Sequence, residues 1–258
     1  MTFCLAVKVQ DGLVGIADTR ITSGSECITA RKVSVHTHGQ HSLFLMTSGL
    51  RSVRDKVVTY FEEVLESGEG DFDRLYKAVN ALSAQIRRAA AEDKEALEAS
   101  NLHFNLHALV GGQMEHDKEP KLYLIYPQAN WVEISQGTPY SIIGETGYGK
   151  PILDRTLKYS DSMQFALKVG CLAFDSTRIS AANVDFPIDV VIYKRDSFEI
   201  VEHRYEKQDL IDISNWWQER LRESVRLLPS KWITSLFAEA TDGDPSHTIP
   251  LTPPGGTS

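Results

Sequence analysis

Residues 1–20 read MTFCLAVKVQDGLVGIADTR, and their pattern decides the fold. Between Thr2 and Val9, Phe3, Leu5, Val7 and Val9 fall on one face of an extended chain. Thr2, Cys4, Ala6 and Lys8 fall on the other. Gln10-Asp11-Gly12 is a turn signal, and Leu13–Asp18 is a second extended run, so the segment predicts an antiparallel hairpin. In such a pair the numbers of facing residues sum to a constant. A Gln10-Asp11 loop makes that constant 21 and sets Thr2 opposite Thr19. A three-residue loop makes it 22 and sets Thr2 opposite Arg20. An Asp11-Gly12 loop makes it 23 and sets Thr2 opposite Ile21. In every register Asp18 lies on the neighbouring strand, roughly 5–10 Å from Thr2 by cross-strand spacing.

Working outward, Lys32–His36 and Ser42–Thr47 read as two further strands joined at His38-Gly39-Gln40. Two helices follow. Arg51–Ser67 carries Val53, Val57, Val58, Phe61, Val64 and Leu65 at helical spacing and is expected to end at Gly68 and Gly70. Phe72–Leu97 carries Leu75, Val79, Leu82 and Ile86. Strands are predicted near Asn105–Gly111, Lys121–Tyr126 and Ser141–Gly144, then helices over Lys150–Lys158 and Ser162–Phe174. Two strands near Asp189–Lys194 and Phe198–His203 precede a long amphipathic helix over Gln208–Leu227. Strands and helix pairs alternate in blocks, unlike the strict βαβ alternation of a parallel sheet. The pattern predicts an α+β fold with antiparallel sheets and helices layered outside them.

Composition narrows the function classes. The 258 residues carry a net charge of −8 and no basic stretch, which argues against non-specific nucleic-acid binding. At this length, one or two domains fit. No apolar run is long enough to span a membrane. The N-terminus has no basic n-region or small-residue cleavage site, and Cys4, Cys27 and Cys171 form neither a disulfide framework nor a CxxC pair. A cytoplasmic, bacterial setting is the expectation. His36 and His38 share a strand face, but the HTHGQH segment is read as a hairpin turn and not a metal site. Glu145–Gly149 lacks phosphate-loop spacing and is read as a strand-to-helix turn.

Thr2 follows the initiator Met and is small enough for bacterial processing to remove Met1. A terminal threonine holds a hydroxyl and a free amine on adjacent carbons. The amine, with a reference pKa of about 7.7–8.0, is partly neutral at pH 7 and serves as base for its own hydroxyl. A lysine nearby would lower that pKa, and an aspartate would hold the lysine. Taken singly, Asp18 reads as a hairpin-end residue paired to Arg20, and Lys32 as an exposed strand lysine. The combination is what points to chemistry.

Thr2, DTRITSG at 18–24, RK at 31–32, LMTSGL at 45–50, FDST at 174–177 and the PID beginning at 187 together resemble the proteasome β-subunit family. The resemblance covers roughly residues 2–204 and is greatest to its bacterial ancestral β-subunit group, called Anbu. It implies a four-layer αββα N-terminal-nucleophile hydrolase fold over 1–204, with a C-terminal helical extension over 205–244. A flexible tail is expected over 245–258. Carried over position by position, Thr2 matches the nucleophile, Asp18 and Lys32 the catalytic aspartate and lysine, and Gly49 the oxyanion amide. Thr22 matches a substrate-binding threonine, and Thr47 leads into a polar-edged specificity pocket.

There are departures. Lys32 follows Thr2 by slightly fewer residues than in eukaryotic and archaeal subunits. Thr146 replaces a serine, and Asp175 and Ser180 are the candidates for a later aspartate and serine. The implied activity is a self-compartmentalising threonine peptidase, with neither cofactor nor metal. Its implied partners are other copies of itself in a ring or ring-like spiral, a peptide or unfolded-protein substrate, and an unfoldase of unknown identity. A catalytically silent assembly and a small-molecule amidase are the alternatives. Adjacent Trp216 and Trp217 suggest packing against a neighbouring subunit.

Overall fold

The computed structural model describes residues 2–23, 26–67 and 72–241, without the side chains of 22, 23, 26, 27, 235 and 238–241. The expected helix stop at Gly68 and Gly70 and the expected flexible tail lie outside the described residues. Six strands come first: β1 (Phe3–Val9), β2 (Gly12–Asp18), β3 (Arg20–Ser23), β4 (Glu26–Thr29), β5 (Val33–His38) and β6 (His41–Gly49). Helices α1 (Arg51–Glu66) and α2 (Leu75–Ala99) follow. Next are β7 (Leu106–Gln113), β8 (Lys121–Ile125), β9 (Trp131–Glu133) and β10 (Tyr140–Gly144). Helices α3 (Lys150–Thr156) and α4 (Met163–Ser180) precede β11 (Ile188–Lys194), β12 (Ile200–Tyr205), α5 (Lys207–Arg226) and α6 (Lys231–Thr241).

The strands form two five-stranded antiparallel sheets, ordered β10-β1-β2-β11-β12 and β5-β6-β7-β8-β9, with β3-β4 as a separate hairpin. The sheets face each other through Cys4, Ala6, Leu13 and Ala17 on one side and Val33, Phe44, Met46 and Leu109 on the other. The opposite face of the first sheet, with Phe3, Leu5, Val7 and Val9, is covered by Ala166, Val169, Ala173 and Phe174 of α4 and Leu153 of α3. The outer face of the second sheet is covered by Val53, Val57 and Phe61 of α1 and by Leu75, Val79, Leu82 and Ile86 of α2. The four layers therefore run α, β, β, α. The β1 alternation is real, but every residue of β1 is buried, because each face meets a different layer.

The β1–β2 ladder pairs Cys4 with Ala17 and Val9 with Gly12, so the loop is Gln10-Asp11. Helix α3 begins with a proline in its first turn, where the missing N–H is no loss. Helix α4 is capped by the Ser162 side chain, which accepts from Phe165 N at 3.2 Å. One compact unit extends to Ser214, within α5. Leu210 packs on the α4 side of that unit, and the Ser214 hydroxyl accepts from Arg178 at 2.9 Å. The second unit, from Asn215, holds the rest of α5 and α6, with Trp216, Leu221, Trp232 and Leu236 exposed.

Candidate active site

Phe3 fixes the start of the chain. Its side chain is fully buried, with its ring centroid 6.0 Å from that of Phe174. Its strand is held on both sides, by β2 and by β10, where Phe3 faces Gly144. Thr2 lies one residue before this ladder, and its carbonyl accepts from Glu145 N at 2.7 Å. Gly144 makes this approach feasible. It has φ +92°, and a Cβ there would stand 1.9 Å from the Thr2 carbonyl oxygen. Gly144→Ala should therefore push Thr2 aside. The expected result is a Tm lowered by several degrees in thermal melting. A wild-type Tm in this variant would mean that the Gly144–Thr2 contact does not fix the start of the chain.

Asp18, at the end of β2, is completely buried. Its Oδ1 accepts from Phe3 N at 2.8 Å and from Lys32 Nζ at 2.6 Å. Lys32 precedes β5, and its Nζ also donates to the Arg20 carbonyl at 2.6 Å. A buried carboxylate is tolerable only with such partners. Burial still raises the Asp18 pKa above its ordinary value, while the Lys32 charge and the N–H donors oppose the rise. An ammonium has three donors, so two bonds leave the third for whatever enters the pocket.

Thr2 and Lys32 line one pocket of about 540 Å³ with Thr47, Ser48, Gly49 and Arg54. Thr47 and Gly49 come from the end of β6, and Thr47 N donates to the Lys32 carbonyl at 3.3 Å, tying the two walls together. Gly49 has φ +142°, and a Cβ there would lie 2.1 Å from the Asn105 carbonyl oxygen, so the backbone alone fits. Cys4, the nearest thiol on β1, has its pKa pushed up to about 12 by burial, so its thiolate is not available near neutral pH.

Three of the other expected site residues are not among those lining this pocket. Thr146 is exposed in the turn after β10. Asp175 is buried in α4 and ion-paired with Arg178 at 2.7 Å, and Ser180 is exposed at the end of the same helix. None of the three lines the pocket. Thr22 is paired with Cys27 in the β3–β4 hairpin, and its side chain lies outside the described residues. Sequence reasoning missed Arg54, His103, Asn105 and His107, which line the pocket from α1 and from the segment entering β7. The β6–β7 pairing, Gly49 opposite Leu106, sets His103, Asn105 and His107 beside Gly49, while Arg54 follows β6 directly on α1.

Another cavity, about 880 Å³, lies beside the β5–β6 turn, with His36, His38 and His41. It contains neither Thr2 nor Lys32. Among the described residues, no three His, Cys, Asp or Glu side chains converge as a metal site, and no helix is long and apolar enough to cross a membrane.

Two facing antiparallel sheets between helix layers, with a threonine at the mouth of a pocket beside a buried Lys–Asp pair, define a proteasome-type subunit. The model of the proteasome-subunit family matches residues 2–187, and the chain belongs to that family. Its fold is the four-layer fold of the N-terminal-nucleophile hydrolases.

Within the family the chain is similar to the Anbu, or ancestral β-subunit, proteins. A structure of an Anbu Gly-1 mutant from Hyphomicrobium sp. strain MC1 is 32% identical, with a TM-score of 0.81 over 88% of this chain and 98% of the other. Anbu from Yersinia bercovieri is 30% identical, with a TM-score of 0.82 over 88% and 98%. A helical assembly of the Anbu complex from Pseudomonas aeruginosa is 31% identical, with a TM-score of 0.83 over 88% and 97%. No curated protein sequence matches the chain.

Proposed function

We propose that the protein is a self-compartmentalising threonine endopeptidase whose nucleophile is Thr2, exposed by removal of Met1. One observation carries this reading. The buried Asp18–Lys32 pair is bonded to the backbone N–H of Phe3, the residue after Thr2, and Lys32 and Thr2 open into the same pocket.

The neutral Thr2 amine, through a water, takes the Thr2 hydroxyl proton, and the oxygen attacks a peptide carbonyl. The Lys32 charge keeps the amine neutral by lowering its pKa, and Asp18 holds Lys32 in place. The Gly49 N–H stabilises the oxyanion, a contribution of roughly 3–4 kcal/mol for such a donor. The amine then protonates the leaving nitrogen, and water hydrolyses the acyl-enzyme by the reverse route. Thr47 and Thr22 serve substrate binding. Assembly with copies of itself in the cytoplasm, as a ring or spiral, would restrict access to peptides and unfolded chains. An unfoldase that delivers substrate is compatible with this reading.

The test compares turnover of fluorogenic peptide amides, an unfolded protein, a folded protein and small acyl amides. Cleavage of the first two alone is expected. Turnover of small amides alone would replace this reading with an amidase using the same threonine. A second reading, a silent assembly of the same fold, draws support from one Asp175 oxygen being ion-paired with Arg178, while Asp175 is not among the residues that line the pocket. Absence of any turnover by a chain whose Met1 has been removed would favour it.

A further inference from the structure

The pocket beside Thr2 carries a charge pattern that amide hydrolysis does not require. Lys32, Arg51, Arg54, His103 and His107 all line it, and among the described residues no Asp or Glu does. Lys32 is matched by Asp18. Burial holds the His107 imidazole below its ordinary value, so it is neutral near pH 7. The lasting positive charge therefore comes from Arg51 and Arg54.

Both arginines stand at the start of α1, whose first turn has no acidic residue. Cations there oppose the helix macrodipole, so helix stability alone does not select them. Asp55 offsets part of the charge. It accepts from Arg54 Nε at 2.9 Å and from a second Arg54 nitrogen at 2.6 Å, and its other oxygen is 3.4 Å from Arg51 Nε. Asp55 is half exposed and lines the adjoining cavity, not this one, so water screens it. One carboxylate against two guanidiniums leaves the pocket positive. The Arg54 side chain is only 14% exposed, and among the described residues its Nη1 has no acceptor. A guanidinium with unused donors, held at the wall of a concave site, suits a carboxylate.

We propose that Arg54 is a specificity-determining residue that makes this a carboxylate-selecting pocket. The protein would take peptides with glutamate or aspartate on the acyl side of the scissile bond, that side chain accepting from Arg54 while its carbonyl lies at Thr2. A volume of about 540 Å³ holds such a side chain with its flanking backbone. A lysine there would add a cation to a site whose described lining holds no carboxylate, and an apolar side chain would desolvate Arg54 without replacing its hydrogen bonds. Cleavage of the selected peptide rests on the peptidase reading, but its binding does not.

The test is fluorescence anisotropy on the Thr2→Ala protein with labelled peptides that differ only in Glu, Gln, Leu or Lys at that position. All carry C-terminal amides, so the Glu side chain is the variable carboxylate. The Glu peptide is expected to bind about tenfold or more tighter than the Gln, Leu or Lys peptides. Arg54→Gln in the same background should erase the preference, and Arg54→Lys should restore part of it. In the Thr2-containing protein, kcat/KM should rank the substrates in the same order. Equal binding of Glu and Gln peptides, tighter binding of Lys, no binding of any peptide, or an unaltered preference in Arg54→Gln would overturn the proposal. If the peptidase reading alone is wrong, hydrolysis is absent while the Glu preference in binding remains.

Discussion

Thr2→Ala is expected to abolish peptide hydrolysis, with kcat/KM falling by at least about 10³-fold, while the protein stays folded. Removing a nucleophile leaves only binding and oxyanion stabilisation, which act on an attack that no longer occurs. The fold should tolerate the change. The bonds that fix this end of the chain are made by backbone atoms: the Thr2 carbonyl to Glu145 N, and Phe3 N to Asp18. Thr2 is buried but lies ahead of β1, so loss of its hydroxyl and methyl should cost about 1–2 kcal/mol, short of unfolding the protein. Progress curves on a fluorogenic peptide, alongside thermal melting, separate the two effects. Wild-type turnover in a folded Thr2→Ala protein would remove Thr2 from the mechanism.

Lys32→Ala should affect both activity and stability. The substitution leaves the fully buried Asp18 without its ammonium partner. Breaking a buried pair in this way costs about 3–5 kcal/mol if the remaining group stays charged. Asp18 can escape part of that cost by taking up a proton. Burial already raises its pKa above 3.8, and Lys32 is the largest influence opposing the rise, so the variant should raise it further.

The folded variant then binds a proton that the unfolded chain releases. Stability falls as pH increases from the unfolded carboxylate value to the raised folded one, and the loss is complete above that window. Urea unfolding should therefore show Lys32→Ala closer to wild type at pH 5 than at pH 8. Hydrolysis should fall at least about 10²-fold, because the Thr2 amine loses the charge that keeps it neutral. A variant as stable as wild type at both pH values would mean that the ion pair does not carry the charge balance inferred here.

The hairpin was legible because its length, turn residues and alternation left only three registers. The ladder selects the one that places Thr2 beyond Phe3 and Asp18 against the Phe3 amide. Burial on both faces of β1 was not legible, because it depends on two layers contributed from other parts of the chain. The β3–β4 hairpin was missed because Arg20–Thr29 contains small and polar residues with little alternation. Three-residue β9 is too short for a periodic signal.

Helix α4 continues six residues past its expected end at Phe174. Asp175, Ser176 and Thr177 are weak helix formers, but the Thr177 hydroxyl bonds back to the Ala173 carbonyl at 2.8 Å and the residue is buried. Helix α6 begins just after Pro229, which reads as a chain break, and its apolar residues have no periodic neighbour to extend the pattern. At the site, Thr2, Asp18 and Lys32 were accessible from the hairpin and the family resemblance. Arg54 was not, because its approach to Thr2 depends on the second sheet, whose β6 leads into α1, packing face to face on the first sheet that holds β1.

An intact mass spectrum of the purified protein, taken before and after treatment with a peptide epoxyketone, tests the central claim most directly. The reagent reacts with a hydroxyl and a free amine on the same terminal residue, the pair that Thr2 offers once Met1 is gone. The expected spectrum shows the chain without Met1, shifted by one adduct per chain and unshifted in Thr2→Ala. A chain that stays unmodified after the loss of Met1, or one that keeps Met1 and still hydrolyses peptides, would contradict the assignment of Thr2 as an N-terminal nucleophile.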